Sequence, residues 1–247
     1  MNLETKATEE QIKHWEKLYD LFKKCKLSEP TLFYNLGLFM RTSLLTKILF
    51  LNELYGYIKD ITGDIVEFGT WCGQNTVVFE NLRAIYEPFN ANRRIISFDS
   101  FSGYADFSNH DKKKFFEQNY SYSLPDDYSS YLTELVDFHE KNNILGNIKK
   151  HVIVKGNVID TVPKYFESNP QTVVALAYCD VGLYEPTKIC LETIKPHLIP
   201  GSVIMLDEFN NSIQPGETIA FRELFNNYKY TIHKSRYMTD RTIVIIN

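Results

Sequence analysis

One stretch constrains this chain more than any other. An apolar run ends in an acid and then turns on two glycines: Gly63-Asp64-Ile65-Val66-Glu67-Phe68-Gly69-Thr70-Trp71-Cys72-Gly73. A second apolar run, Ile95-Ile96-Ser97-Phe98, also ends in an acid, Asp99. The order reads strand, glycine turn, helix, strand. Such a turn lets a ligand approach bare backbone, and an acid closing the second strand accepts ribose hydroxyls. The combination points to a nucleotide or adenosyl cofactor. A dinucleotide oxidoreductase is disfavoured, because its fingerprint is G-x-G-x-x-G and Trp71 stands between Gly69 and Gly73 here.

The pattern around this stretch alternates strands and helices. Residues 8–26 read as an amphipathic helix with Ile12, Trp15, Leu18, Tyr19 and Phe22 on one face, followed by a Ser-Glu-Pro break at 28–30. Residues 41–60 read as a second helix. Strands are expected at 65–68, 94–98, 151–154, 173–178 and 202–206. A terminal pair is expected at 228–233 and 242–246. Helices are expected at 75–86, about 129–143 and 185–194. The predicted fold class is α/β: a Rossmann-like parallel sheet with helices on both faces. It carries an N-terminal helical extension over 1–60, ahead of a main domain at 61–247. An insertion at about 101–147 follows strand two. That insertion is unusually long and rich in Phe and Tyr, as expected of a lid.

With 247 residues, the chain is long enough for one large domain of this kind. The net charge of −4 gives no basic footprint for nucleic acid. No apolar run is long enough for a membrane span, and the N-terminus has no signal-peptide core. Cys25, Cys72, Cys179 and Cys190 form no CxxC pair, as expected of free thiols in a reducing, cytoplasmic compartment. The N-terminal helices are expected either to cap the sheet or to form a homo-oligomer.

Four strands end in acids: Glu67, Asp99, Asp180 and the pair Asp207-Glu208. Ligands bind at the carboxyl ends of strands in open α/β sheets. Asp180, Asp207 and Glu208 together make a hard-oxygen donor set, suited to magnesium or calcium rather than zinc. Any one of these acids alone reads equally well as a helix cap.

These residues resemble the class I S-adenosylmethionine-dependent methyltransferases, and more closely the macrocin and mycinamicin sugar O-methyltransferases. The resemblance rests on the Gly63–Gly73 stretch, the turn Asp99-Ser100-Phe101-Ser102-Gly103 and the block Lys155 to Pro163. It also rests on Asp180-Val181-Gly182-Leu183-Tyr184-Glu185-Pro186-Thr187 and on Pro196 to Phe209. In two places the chain departs from the family pattern. Gly182 stands where the family has the second acid of D-x-D, and Glu208 where it has the second Asp of D-D.

The resemblance implies methyl transfer from S-adenosylmethionine to a sugar hydroxyl on a small-molecule acceptor. It implies a cofactor set of Glu67, Gly69, Thr70, Trp71, Gly73, Asn75, Asp99, Ser100, Gly156, Asn157 and Asp180. It implies Mg2+ held by Asp180, Asp207 and Glu208. Asp180 is the expected base, with His233 as rival. A methyltransferase with a non-sugar acceptor and a non-catalytic cofactor-binding module are the alternatives.

Overall fold

The computed structural model describes residues 7–112 and 122–247. Three helices come first: α1 (Glu9–Lys23), α2 (Glu29–Phe33) and α3 (Thr42–Ile58). The alternating part then runs β1 (Asp64–Phe68), α4 (Gln74–Tyr86), β2 (Ile95–Asp99), α5 (Tyr128–Lys141) and β3 (His151–Lys155). It continues with α6 (Val158–Ser168), β4 (Val174–Cys179), α7 (Tyr184–Ile194), β5 (Leu198–Leu206) and α8 (Gly216–Phe225). The chain closes with β6 (Tyr230–Lys234) and β7 (Thr242–Ile246).

The seven strands lie in the order β3-β2-β1-β4-β5-β7-β6. All neighbouring pairs from β3 to β5 are parallel, while β7 runs antiparallel to both β5 and β6. The chain builds outward from β1 to β3, then returns to place β4 on the other side of β1. Helices leave in opposite directions at that switch point, which opens a crevice at the carboxyl ends of β1 and β4.

Alternation along the strands makes two cores. Val66, Phe68, Ile96 and Phe98 face α6, α7 and α8, meeting Val162, Phe166, Leu191 and Phe221. Ile65, Ile95, Leu176 and Met205 face Phe50, Leu51, Leu54 and Ile58 of α3 and Phe79 of α4. The second half of α3 is therefore part of the main core. By contrast, α1 and α2 bury no residue fully, and Phe33 and Tyr34 are 69% and 85% exposed.

Two local readings differ from the sequence expectation. The Ser-Glu-Pro stretch at 28–30 starts a helix rather than breaking the chain. The Ser28 side chain accepts the Thr31 amide, and Pro30 sits in the first turn, where its missing N–H costs nothing. Helix α6 had no sequence assignment. Asn157 caps it by accepting the Ile159 amide, and Val158, Val162 and Phe166 form its buried stripe. Among the described residues, no helix is long and apolar enough to cross a membrane.

Candidate functional site

The turn after β1 is shaped by contacts within the fold. Gly69 has φ +87°, and a Cβ there would lie 2.0 Å from the Asp180 carbonyl oxygen. Gly73 has φ +80°, and a Cβ there would lie 2.2 Å from Leu132 Cδ1 of α5. Both positions need glycine because chain segments close on them, not because a ligand strips the backbone bare. The Asp99 carboxylate accepts the Trp71 amide at 2.7 Å and the Phe101 amide at 2.6 Å. It thereby ties the two turns together at the head of the crevice.

A cavity of about 620 Å³ opens here, across the carboxyl ends of the parallel strands. Of the residues expected from sequence, Gly69, Trp71, Asp99, Ser100, Gly156, Asn157, Asp180, Asp207 and Glu208 line it. Glu67, Thr70, Gly73 and Asn75 do not. Glu67 is fully buried below the turn, accepting Asn75 Nδ2 at 2.8 Å, Thr76 Oγ1 at 2.6 Å and Ser97 Oγ at 3.3 Å. It fastens β1 to α4 and β2. Burial pushes its carboxyl up to about 7.

His233 stays outside this group. It lies exposed on the edge strand β6, beyond β7, with its ring stacked 6.4 Å from that of Tyr57. The cavity lining does not include it.

The acids from β4 and β5 meet at the other end of the cavity. The Asp180 side chain has no hydrogen-bond partner among the described residues, and burial raises its pKa. Asp207 is ion-paired through Oδ1 with Arg241 Nε, while Arg241 Nη1 donates to the Asp207 carbonyl at 3.2 Å. Even so, burial and the neighbouring Asp180 charge hold the Asp207 carboxyl above its ordinary range. Glu208 Oε2 accepts from Asn211 Nδ2.

A fourth acid, missed in the sequence, joins them. Glu217 of α8 is fully buried, and burial pushes it up to about 8. It accepts the Gly182 amide at 3.2 Å and the Glu208 amide at 2.8 Å. Arg241 was also missed, because it follows the terminal turn and carries no motif.

This donor set fits a hard divalent cation. Its ligands are carboxylate oxygens, and its surplus negative charge disfavours ionisation of its own members. Asp180, Asp207 and Glu208 are not drawn into a tight coordination shell. Among the described residues, the three acid or histidine groups with ligand atoms within 4.8 Å of one another are Glu80, Glu140 and His151. That cluster lies at the amino end of β3, away from the cavity. It holds its own cation, since Arg83 reaches Glu80 at 2.5 Å and Glu140 at 3.2 Å.

The insertion crosses the cavity as a strap. Asp106 accepts Asn157 Nδ2, Asp111 Oδ1 accepts the Tyr184 amide at 3.0 Å, and Lys112 Nζ donates to the Ser212 carbonyl at 3.2 Å. On its return, the Tyr122 ring meets Trp71 at 5.5 Å and Tyr104 at 5.4 Å. Tyr128 and Tyr131 belong to α5 instead, where Tyr128 Oη donates to the Cys72 carbonyl at 3.0 Å. Phe115, Phe116 and Tyr120, part of the expected lid, lie outside the described residues.

Comparison with known proteins adds the lineage. A family model described as a methyltransferase domain matches residues 66–209. Two solved structures of CalS11 align along the chain. One is described as a calicheamicin methyltransferase, at 35% identity and TM-score 0.88, covering 98% of this chain and 94% of that one. The other, described as a TDP-rhamnose 3'-O-methyltransferase in calicheamicin biosynthesis, shows 34% identity and TM-score 0.82 over 98% and 96%. The O-methyltransferase NovP shares the fold at 17% identity and TM-score 0.61, over 82% and 80%. No curated protein sequence matches the chain. Its strand order, its cavity at the switch point and these matches agree: the chain belongs to the class I S-adenosylmethionine-dependent O-methyltransferases of the macrolide-sugar type.

Proposed function

We propose that this enzyme methylates a hydroxyl of a sugar, carried on a nucleotide or a similar small molecule, with a divalent cation at Asp180, Asp207 and Glu208. One observation carries the reading. A single cavity joins the ribose-type acid Asp99 and the cap residue Asn157 at one end to the carboxylates of β4 and β5 at the other. The reaction named for CalS11 supports the sugar.

The chemistry follows from the residues. Asp99 and Asn157 hold the nucleoside end of the cofactor, and Trp71 borders its methionyl end. Bound S-adenosylmethionine would supply the methyl group, and Asp180 is the residue placed to take the proton that the acceptor hydroxyl gives up. The Asp180 carboxyl is half-buried and accepts no hydrogen bond among the described residues, and desolvation raises its pKa, which suits it to that role. A bound Mg2+ would supply charge that lowers the pKa of the hydroxyl. The strap excludes water and presents Tyr104 and Tyr122 to the flat faces of a sugar.

We further read α1 and α2 as a surface that joins two copies of the chain, the second half of α3 belonging to the main core. The exposed apolar residues of α1 and α2 with its C-cap, led by Phe33 and Tyr34, support this. Light scattering would test it, and a monomer at micromolar concentration would refute it.

Methyl-labelled S-adenosylmethionine with TDP-rhamnose, with and without Mg2+, tests the reaction. A labelled methyl ether on the sugar, formed only with the metal, is expected. Robust transfer to phenols and none to any sugar would overturn the sugar reading.

A further inference from the structure

The glycine turn has few amides left for a ligand. Gly69 and Thr70 both donate to the Phe98 carbonyl, at 3.0 and 3.3 Å. The Trp71 amide goes to Asp99 at 2.7 Å, and that of Gly73 to the Thr70 carbonyl at 2.9 Å. Only the Cys72 amide of this turn is not engaged in these bonds. An anionic ligand group at this end of the cavity must therefore find side-chain donors.

Two such donors line the cavity without an acceptor. Trp71 Nε1 is buried and makes no hydrogen bond. Lys47 reaches the cavity from the first half of α3, and among the described residues its ammonium has neither a hydrogen bond nor an ion pair.

Three cations line the cavity, and Lys155 Nζ donates to the Asp126 carbonyl at 2.7 Å. Arg241 is spent on Asp207. The charge of Lys47 acts instead on Glu67, Cys72 and Asp180, which surround the β1 turn. Glu67 cannot be its partner, because Asn75, Thr76 and Ser97 already saturate it below the turn. A half-buried lysine and a buried indole N–H that line the same cavity lack the same thing, an oxygen anion.

We infer that Lys47, together with the indole N–H of Trp71, binds the α-carboxylate of S-adenosylmethionine. The inference rests on the cofactor reading of this cavity. The carboxylate is the cofactor's one anionic group, while its sulfonium and amino groups are cations and belong beside Asp180. Lys47 thus fixes the methionyl end at the β1 turn while Asp99 fixes the ribose. It makes α3 a part of the cofactor site and lets the enzyme distinguish the intact cofactor from adenosyl thioethers that lack the amino-acid end.

Calorimetric titration of the full chain with S-adenosylhomocysteine and with 5'-methylthioadenosine tests this. The two ligands share the adenosine and the thioether and differ at the amino-acid end. Lys47→Gln is expected to weaken S-adenosylhomocysteine roughly tenfold to a hundredfold, as loss of a charge-assisted bond does. It should change 5'-methylthioadenosine by less than about twofold. Lys47→Arg should recover most of the loss. Equal weakening of both ligands, no change in either, or an effect confined to acceptor KM would overturn the inference. Wild-type protein that bound neither ligand would instead overturn the cofactor reading and the inference with it.

Discussion

Glu217 and Gly182 meet at 3.2 Å, the Glu217 carboxylate accepting the glycine amide, while its other oxygen accepts the Glu208 amide at 2.8 Å. One buried side chain therefore spans the ends of β4 and β5. Gly182 stands where the family pattern that the sequence resembles has an acid, and it adopts φ +66°, a conformation that favours glycine. Glu217 brings a carboxylate to that place from α8.

Glu217→Ala should therefore do two things. It leaves two amides without their acceptor, which costs roughly 1–3 kcal/mol per buried group. Urea denaturation should register a loss of that order. It also frees the loop that carries Glu208, so turnover should fall further than the stability loss explains. A variant with wild-type stability and activity would show that the bridge is incidental.

Removal of divalent metal should abolish turnover while cofactor binding persists, because Asp99 at the end of β2 and Asn157 after β3 hold the nucleoside without the acids of β5. Arg241→Gln sharpens the test. Arg241 now neutralises part of the charge on Asp207. Without it, added Mg2+ should raise the melting temperature more than it does in the wild type. A smaller Mg2+ effect in the variant would argue that Arg241 organises the site rather than shares its ligand.

Glu67 carries a pH signature. Its carboxyl is raised from 4.5 to about 7 by burial, so the folded chain keeps a proton that the unfolded chain has lost. The contribution of this group to stability is highest in acid, falls as pH rises from about 4.5 to about 7, and is level above that. Glu67→Gln removes the ionisation and keeps the shape. The melting-temperature difference, variant minus wild type, should become more positive from pH 5 to pH 8. A flat difference would mean that Glu67 is ionised in the folded protein across this range.

Much of the scaffold was legible because its signals are local. Ile65-Val66-Glu67-Phe68 is apolar but for Glu67 and runs into a glycine turn, which suffices to place a buried parallel strand. The strand-end acids Asp180, Asp207 and Glu208 inherit their position from the strands before them. What escaped depends on tertiary approach. Glu217 sits in an ordinary helix and becomes a site residue only when α8 packs under β4 and β5. Arg241 acts across the sheet, and Lys47 belongs to a helix read as a cap. His233 was singled out for following the acids in the chain, but it lies on β6, which pairs outside β7 and so forms the sheet edge, away from the crevice.

The glycines offer a steric test. Gly73→Ala should be destabilising, because its Cβ would overlap Leu132 and its φ of +80° is costly for alanine. The overlap involves the tip of a side chain, so it can be relieved. Leu132→Ala alone opens a cavity costing roughly 2–5 kcal/mol. In the double variant the new methyl enters that space, and the combined loss should fall short of the sum by about 1 kcal/mol or more. Additive losses would assign the whole cost of Gly73→Ala to its backbone.

Asp111 tests the strap. Its Oδ1 accepts the amide of Tyr184, the first residue of α7, and its Oδ2 accepts the Ser108 amide and hydroxyl at 2.8 and 2.7 Å. This one side chain fastens the far end of the strap to the rim beside the acids. The near end is held separately, by Phe101 on Asp99 and by Asn157 on Asp106. Asp111→Ala should therefore loosen the strap over the acceptor end and leave the cofactor end in place. The expected outcome is a raised acceptor KM, with S-adenosylhomocysteine affinity within about twofold of wild type. Limited proteolysis should cut the variant sooner between residues 105 and 125, and acceptor should protect it less. If cofactor and acceptor binding fall together, the strap is a structural wall of the whole cavity and not a cover for the acceptor.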